Sequence, residues 1–179
     1  MKKKLLPLLL AVAMALFLLP AGMVTARADE YIGTLSDLQN DLSLGGDIFL
    51  TRDYTADSEE DYGLDNGIAV PNTVSSLDLN GHTIRPMGRL FNVYNTLTLL
   101  DSSEGKTGTI TSGNADGNGG GVCVSSDASF TMTGGSVTGN TAAERGDGGV
   151  YVNRDASFTM TGGSITGNTA AGHGGGVCV

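Results

Sequence analysis

The side chains with the most regular spacing in this sequence carry hydroxyl groups. Serine or threonine alternates with apolar residues in one short segment, and the alternation returns 28 residues later: Ser129, Thr131, Thr133, Ser157, Thr159 and Thr161. Alternation with a period of two places such residues on one face of a β-strand. This face can hydrogen-bond a partner at many points, but it holds no ionisable group for acid–base chemistry. We predict that a binding partner contacts the outward side chains Thr131, Thr133, Tyr151, Thr159 and Thr161.

A second candidate chemistry comes from carboxylates concentrated between residues 55 and 67: Asp57, Glu59, Glu60, Asp61 and Asp65. A Ca²⁺ site needs several oxygen ligands at a regular spacing. The stretch matches neither the alternating Asp loop of an EF-hand nor the nine-residue Ca²⁺ repeat. We therefore predict a solvated acidic loop over residues 57–65, and the sequence leaves Ca²⁺ binding there open.

The remaining acidic and imidazole groups near the repeats lie in turns. Asp127 and Asp155 each precede an alternating segment, where a turn role is favoured over catalysis. His82 and His173 are single histidines far apart in the chain, so a shared metal ion is not expected. From these residues we predict no catalytic residue, no metal site and no cofactor.

A repeat must position all of these groups, because residues 127–143 return as residues 155–171. The one difference is Val137, which becomes Ile165. Glycine-led segments keep the same period of 27 or 28 residues, at positions 119–124, 146–152 and 174–179. An active site needs one copy of each catalytic group, whereas stacked structural units need identical copies. The duplication therefore favours a structural repeat.

Within each period the sequence predicts short β-strands of three to five residues, separated by Gly, Asn and Asp turns that leave no room for a helix. A repeat of this kind cannot bury its apolar face alone and must stack on its neighbours. The sequence thus predicts an all-β solenoid with three sheets around one narrow core. The pattern begins at about residue 67, and residues 67–179 form the coils.

Aligning the coils predicts continuous interior stacks of apolar side chains. Two stacks run through the glycine-led segments: Phe91, Val122, Val150 and Val177, and beside them Val93, Val124, Val152 and Val179. Two run through the hydroxyl-bearing segments: Leu77, Leu97, Phe130 and Phe158, and beside them Leu79, Leu99, Met132 and Met160. The last consists of Ile84, Ile110, Val137 and Ile165.

Asn114, Asn140 and Asn168 follow the third strand of their coils. Side-chain amides stacked about 4.8 Å apart can hydrogen-bond to one another along the solenoid. We predict a structural ladder at these positions, with an exposed binding role as the alternative.

The two cysteines occupy the same position in coils that are two layers apart. Cys123 and Cys178 have Tyr151 between them, so their Cα atoms should lie roughly 9.6 Å apart. A disulfide requires less than about 7 Å. We therefore predict two thiols that do not pair with each other, and the sequence leaves pairing with a cysteine outside this chain open.

The residues before the coils are predicted to cover the first coil. Residues 34–47 have the pattern of a short amphipathic helix, capped by Thr34 and stopped by Gly45. Its apolar face consists of Leu35, Leu38 and Leu42. This helix and the acidic loop form a predicted N-terminal cap over residues 29–66. At the other end the sequence stops one strand into a new coil, so we expect further coils of the same chain.

The first 28 residues have the pattern of a secretory signal peptide. Three lysines at positions 2–4 precede an apolar run from Leu5 to Leu19 and a small-x-small site that ends at Ala28. A membrane anchor is the alternative, but this run of 15 residues is shorter than the roughly 20 needed to span a bilayer. After cleavage, six Lys or Arg and 19 Asp or Glu remain, a net charge of −13 that repels nucleic acid and anionic lipid.

The repeat motifs resemble those of a known family. "SLDLNGHTI" at 76–84 and "TGGSITGNTAAGHGGGV" at 161–177 are similar to the right-handed parallel β-helix repeat proteins of bacterial surfaces, the adhesin-like branch of the pectin-lyase-like fold. Val137-x-x-Asn140 followed by Gly148-Gly149-Val150 also resembles the repeats of polymorphic outer-membrane proteins. The resemblance implies a right-handed solenoid, and a secreted or wall-associated protein whose elongated surface meets glycans or host and cell-surface proteins.

The same fold has an enzymatic branch, and its lyases and hydrolases need clustered Asp, Arg or Lys on the outer face of a sheet. The hydroxyl-bearing strands at 129–133 and 157–161 carry none of these. We therefore predict a non-enzymatic, adhesin-like structural protein. The alternative is a polysaccharide-binding or polysaccharide-degrading β-helix whose active coils lie beyond residue 179.

Overall fold

A computed structural model describes residues 32–57, 61, 64, 66–144 and 146–179, all within the compact unit of residues 31–179. The predicted signal peptide, residues 1–28, lies outside the described residues, as do Glu59, Glu60 and Asp65 of the acidic loop. No helix in the described ranges is long and apolar enough to cross a membrane.

The predicted N-terminal helix is confirmed as α1, Leu35–Ser43. Thr34 and Asp37 form a capping box, in which each side chain accepts the other's backbone N–H, at 3.1 and 3.0 Å. These bonds satisfy donors that the first turn of a helix leaves unpaired. Gly45 follows with φ +71°, a left-handed conformation that stops the helix. The apolar face is buried as expected: Leu35, Leu38 and Leu42.

Short strands make up the rest of the described chain. In chain order they are β1 Gly46–Phe49, β2 Tyr54–Thr55, β3 Ile68–Val70, β4 Val74–Asp78, β5 Thr83–Arg85, β6 Phe91–Val93, β7 Thr96–Leu100, β8 Thr109–Thr111, β9 Asn114–Ala115, β10 Val122–Val124, β11 Ser129–Met132, β12 Ser136–Thr138, β13 Thr141–Ala142, β14 Val150–Val152, β15 Ser157–Met160, β16 Ser164–Thr166, β17 Thr169–Ala170 and β18 Val177–Cys178.

The strands pair in parallel with their counterparts in neighbouring coils. The first sheet has the order β1-β4-β7-β11-β15, the second β3-β6-β10-β14-β18 and the third β2-β5-β8-β12-β16. A fourth sheet of three two-residue strands, β9-β13-β17, was not predicted. Each of its strands follows a strand of the third sheet after a short turn and pairs in parallel with its counterpart in the next coil. The protein is therefore a parallel β-solenoid of about four coils with one short helix near its N-terminus, which confirms the predicted fold class.

The coils begin earlier in the chain than residue 67. Strand β1 pairs with β4, and β2 pairs with β5, so the segment from Gly46 to Thr55 already belongs to the solenoid rather than to a separate cap. Tyr54 starts the interior stack that continues with Ile84, and it is fully buried. The sequence did not reveal these strands because they lack the glycine-led segments of the later coils.

Most of the predicted interior stacks are confirmed. Phe91, Val122, Val150 and Val177 lie over one another, and Ile68 extends this stack by one coil. The stack through Ile84, Ile110, Val137 and Ile165 is also in register. Val93, Val124 and Val152 align, but Val179 lies after the last strand and is 93% exposed, so its predicted place in that stack is wrong.

The predicted leucine stacks are wrong by two residues in β4. Leu77 pairs with Leu99, not with Leu97, and it therefore continues into Met132. A shift of one residue would turn every apolar side chain outward, whereas a shift of two keeps them all inside. The alternating pattern alone therefore does not distinguish the two registers.

Candidate functional site

The first sheet brings the predicted hydroxyl groups into rows along its outer face. Thr98, Thr131 and Thr159 are in register on three successive coils. Thr96, Ser129 and Ser157 form a second row, in which Ser157 Oγ donates to Ser129 Oγ at 3.0 Å. Thr133 and Thr161 follow these strands directly and are exposed. We call this surface the hydroxyl face. Its hydroxyl groups recur from coil to coil along the solenoid and at alternate residues along each strand.

An acidic group lies at the N-terminal end of the same row. Asp47 in β1 pairs with Ser76, and Ser76 pairs with Thr98. The Ser76 hydroxyl donates to Asp47 Oδ1 at 2.6 Å. The sequence did not predict this carboxylate on the face, because β1 was assigned to the cap.

Tyr151 lies on a different sheet from the threonines that were grouped with it. It is in β14, where it stacks between Cys123 and Cys178 on the outer face of the second sheet. The structure therefore does not bring Tyr151 together with Thr131 and Thr159, and the predicted contact residues form two surfaces.

The third sheet presents a second array of hydroxyl groups, which was not predicted from the sequence. Its outer rows are Thr109, Ser136 and Ser164, and beside them Thr111, Thr138 and Thr166. Ser164 Oγ donates to Ser136 Oγ at 3.0 Å, and the Thr138 and Thr166 hydroxyls lie 3.3 Å apart. The segments "TIT", "SVT" and "SIT" carry a hydroxyl on each side of one apolar residue, and this alternation indicates a strand whose hydroxyls face outward.

Asn140 and Asn168 form the predicted ladder. Asn140 Nδ2 donates to Asn168 Oδ1 at 3.0 Å, and the backbone N–H of Asn140 donates to the same oxygen at 2.9 Å. Asn140 is fully buried, and its own Oδ1 accepts the N–H of Gly113 at 2.9 Å. Gly149 has no room for a side chain, because a Cβ there would lie 2.4 Å from Asn168 Cγ. These contacts give both amides a structural role.

Asn114 does not belong to this ladder. It pairs with Thr141, so Gly113 occupies the ladder position in its coil. Asn114 is exposed, and its side chain makes no hydrogen bond to another described residue. The spacing in the sequence explains why Asn114 is out of register, because Asn114 and Asn140 are 26 residues apart whereas the repeat spans 27 or 28.

The prediction of a solvated acidic loop is wrong at Asp61. Its side chain is buried and accepts backbone N–H groups from Leu35 at 3.1 Å, Ser36 at 2.7 Å and Asp57 at 2.6 Å. Burial by itself would raise the pKa of Asp61, but the N–H bonds from Asp57, Ser36 and Leu35 outweigh it and hold the pKa below the usual value. A carboxylate at the N-terminus of α1 also interacts favourably with the helix dipole.

The two cysteines are free thiols and stack as predicted, two coils apart with Tyr151 between them. Burial raises the pKa of Cys123, although Arg89 acts in the opposite direction. Burial and then the Asp147 carboxylate raise the pKa of Cys178. Higher pKa values leave less of each thiol in its reactive thiolate form.

The remaining titratable groups lie where the turns place them. Asp127 and Asp155 have φ values of +63° and +60°, which confirms their turn role. His82 Nδ1 is 3.2 Å from Asp53, whereas His173 Nδ1 is 3.5 Å from Asp147. The described part of the chain contains no group of three His, Cys, Asp or Glu side chains arranged to hold a metal ion.

The fold and its outward rows define a class, the parallel β-solenoid repeat proteins. No family model, no curated protein and no solved structure matches this sequence. The register of the coils and the chemistry of the surfaces that it creates are therefore the features that bear on function.

Proposed function

We propose that this protein is a secreted or cell-surface repeat protein of adhesin-like type, in the non-enzymatic branch of the pectin-lyase-like fold. Its coils present an elongated surface to glycans or to host and cell-surface proteins. The proposal is supported by the parallel solenoid, which holds like side chains along one direction, and by the signal-peptide pattern of residues 1–28.

The observation that carries this proposal is the alignment of Thr98, Thr131 and Thr159 on the hydroxyl face. A row of equivalent hydroxyls offers one weak hydrogen bond per coil, each worth only about 1 kcal/mol. Several such bonds formed together to one extended ligand add up without a deep pocket, as in other multivalent contacts. An extended partner is therefore favoured over a small molecule.

The overall charge restricts the partner. A net charge of −13 after signal cleavage opposes nucleic acid and anionic lipid surfaces. Strands β11 and β15 contribute no charged residue to the hydroxyl face. Apart from Asp47 at its N-terminal end, the hydroxyl face is thus neutral and polar, which matches a neutral polar partner such as a glycan or an uncharged protein surface.

The test replaces Thr159 and Thr161 together with alanine. Both are exposed, so we expect the thermal unfolding temperature to stay the same while binding to immobilised matrix proteins weakens. The matched control is Thr166→Ala with Thr169→Ala, two exposed threonines on other sheets of the same coil. Equal binding by wild type and the Thr159/Thr161 variant would remove the hydroxyl face from the proposal. Release of cleaved sugar from a polysaccharide would favour the enzymatic alternative.

A further inference from the structure

One corner of the solenoid carries a groove that runs along several coils. The turns that precede β3, β6, β10 and β14 stack there and line two adjacent open cavities of about 390 and 360 Å³. Asp116 and Gly117 line both cavities, so the two adjoin. Four coils at a spacing of about 4.8 Å extend roughly 14 Å. The side chains along the groove are Asn66, Met87, Asn114, Asp116, Asn118 and Glu144.

Several polar side chains in this groove have no hydrogen-bond partner within the described part of the chain, namely those of Asn66, Asn114 and Asp116. Their backbones are nevertheless fixed. The backbone carbonyl of Asn66 accepts a hydrogen bond from Asn92 Nδ2 at 2.7 Å, and the backbone N–H of Asn114 donates to the Gly88 carbonyl at 3.1 Å. An amide offers both a donor and an acceptor, and a carboxylate offers acceptors. Sugar hydroxyl groups are complementary to both.

The charges in the groove disfavour an anionic ligand. Arg89 lies in the wall, but its guanidinium is committed to the protein, with Nη1 donating to Asn92 Oδ1 and Nε donating to the Asn118 carbonyl, both at 2.9 Å. Asp116 and Glu144 are exposed carboxylates that repel anions. Met87 is 44% exposed and adds an apolar contact for the C–H face of a sugar ring.

We infer that this groove binds a neutral carbohydrate chain that lies parallel to the solenoid axis and hydrogen-bonds to Asn66, Asn114 and Asp116. Because the groove crosses successive coils over roughly 14 Å, the ligand is an extended chain of sugar units. The inference deepens the proposed function, since it rests on glycans as the partner class. It assigns the carbohydrate contact to this groove and leaves the hydroxyl face as the contact for protein partners.

The first test removes the polar groups and separately fills the groove. An array of neutral and acidic oligosaccharides identifies a ligand of the full-length protein, and calorimetry with that oligosaccharide measures affinity. Asn114→Ala with Asp116→Ala should weaken binding about tenfold or more. Gly117→Trp should abolish it by blocking both cavities. A Cβ at this glycine meets only Arg89 Nη2, at an ordinary 3.8 Å, so this substitution has room at the backbone. Unchanged melting temperatures confirm that both variants are folded.

The second test separates the nature of the ligand and the location of the site. Asp116→Asn keeps a hydrogen-bonding group and removes the charge, so neutral carbohydrate binding should change by less than about threefold, whereas binding of a lysine-rich peptide would be lost. The Thr159/Thr161 variant should bind the oligosaccharide like wild type. The inference is overturned if wild type binds no neutral saccharide at millimolar concentration, if both groove variants bind normally, or if the ligand is the peptide. Loss of binding in the Thr159/Thr161 variant alone would preserve the proposed function and refute the groove.

Discussion

Asp61 joins two segments of the chain that the sequence presents as unrelated. Its carboxylate bonds the first N–H groups of α1, about 25 residues earlier, and the N–H of Asp57 within its own loop. An isolated acidic stretch is expected to be solvated, because nothing in its spacing shows which distant donors it will meet. The helix that covers the first coil is therefore held by a carboxylate as well as by its leucines.

The lowered pKa values of Asp61 and Asp101 predict a loss of stability in acid. In both, burial acts to raise the pKa but hydrogen bonds outweigh it, so the folded pKa lies below the ordinary value of 3.8. The stabilising contribution is then complete well above 3.8 and is lost as the pH falls through that value towards the folded pKa. Urea unfolding at pH 7 and pH 3 should show a lower free energy of unfolding at pH 3.

Asp61→Asn tests this assignment. At pH 7 we expect the free energy of unfolding to fall by about 1.5–3 kcal/mol, because charge-assisted bonds to backbone donors are weakened. At pH 3 the variant and wild type should differ less, because part of the contribution of the ionised carboxylate is then lost. The control is Asp116→Asn, whose carboxylate has no hydrogen-bond partner among the described residues and should cost little at either pH. An equal cost of Asp61→Asn at both pH values would contradict the assignment.

At the scale of the elements, the turn after the third strand holds each coil to the next. The Asn140 amide reaches back to the Ile110 carbonyl at 3.2 Å and to the Gly113 N–H, and it also bonds Asn168 in the following coil. Gly113 has no side chain, so the ladder ends in its coil. The third sheet and the short fourth sheet are joined at this turn, and the ladder therefore fixes the register of both.

The contrast between Asn140 and Asn114 tests the corrected register. Asn140→Ala removes a fully buried amide and leaves the Gly113 N–H and the Ile110 carbonyl without their partner, so we expect a loss of about 3 kcal/mol or more. Asn114→Ala alters an exposed side chain and should change stability by less than about 0.5 kcal/mol. Denaturant unfolding of the two variants provides the comparison. Similar losses of unfolding free energy in the two variants would contradict the corrected register and indicate that Asn114 belongs to the ladder.

At the scale of the whole molecule, the repeated period predicted the three main sheets and most of the interior, whereas strands outside the period were missed. Residues 127–143 and 155–171 have nearly identical sequences, so strands β11, β12, β15 and β16 and their inward faces follow from alternation and period, whereas the two-residue strands β13 and β17 are too short to show an alternation. Strands β1 and β2 have no repeated partner, and the register of Leu77 is invisible to a pattern that a two-residue shift preserves. The groove at the corner was missed for a similar reason, since turns of unequal length and composition build it.

The cysteines test the stacking of the entire solenoid. Two layers separate Cys123 from Cys178, with Tyr151 between them, so their Cα atoms lie roughly 9.6 Å apart, beyond the about 7 Å that a disulfide spans. Alkylation of the unreduced, unfolded protein should therefore modify both thiols. In the folded protein at pH 8 the reaction should be slower, because burial raises the pKa of Cys123, and burial with Asp147 raises that of Cys178.

Mass spectrometry of the alkylated chain provides the readout, and Cys123→Ser and Cys178→Ser assign the rate of each thiol. A folded rate equal to the unfolded rate at Cys123 would contradict its burial. A monomer whose two thiols both resist alkylation after unfolding without reductant would contain a bond between them. That bond would require the two cysteines to lie on adjacent coils, which is incompatible with Val150 lying between Val122 and Val177.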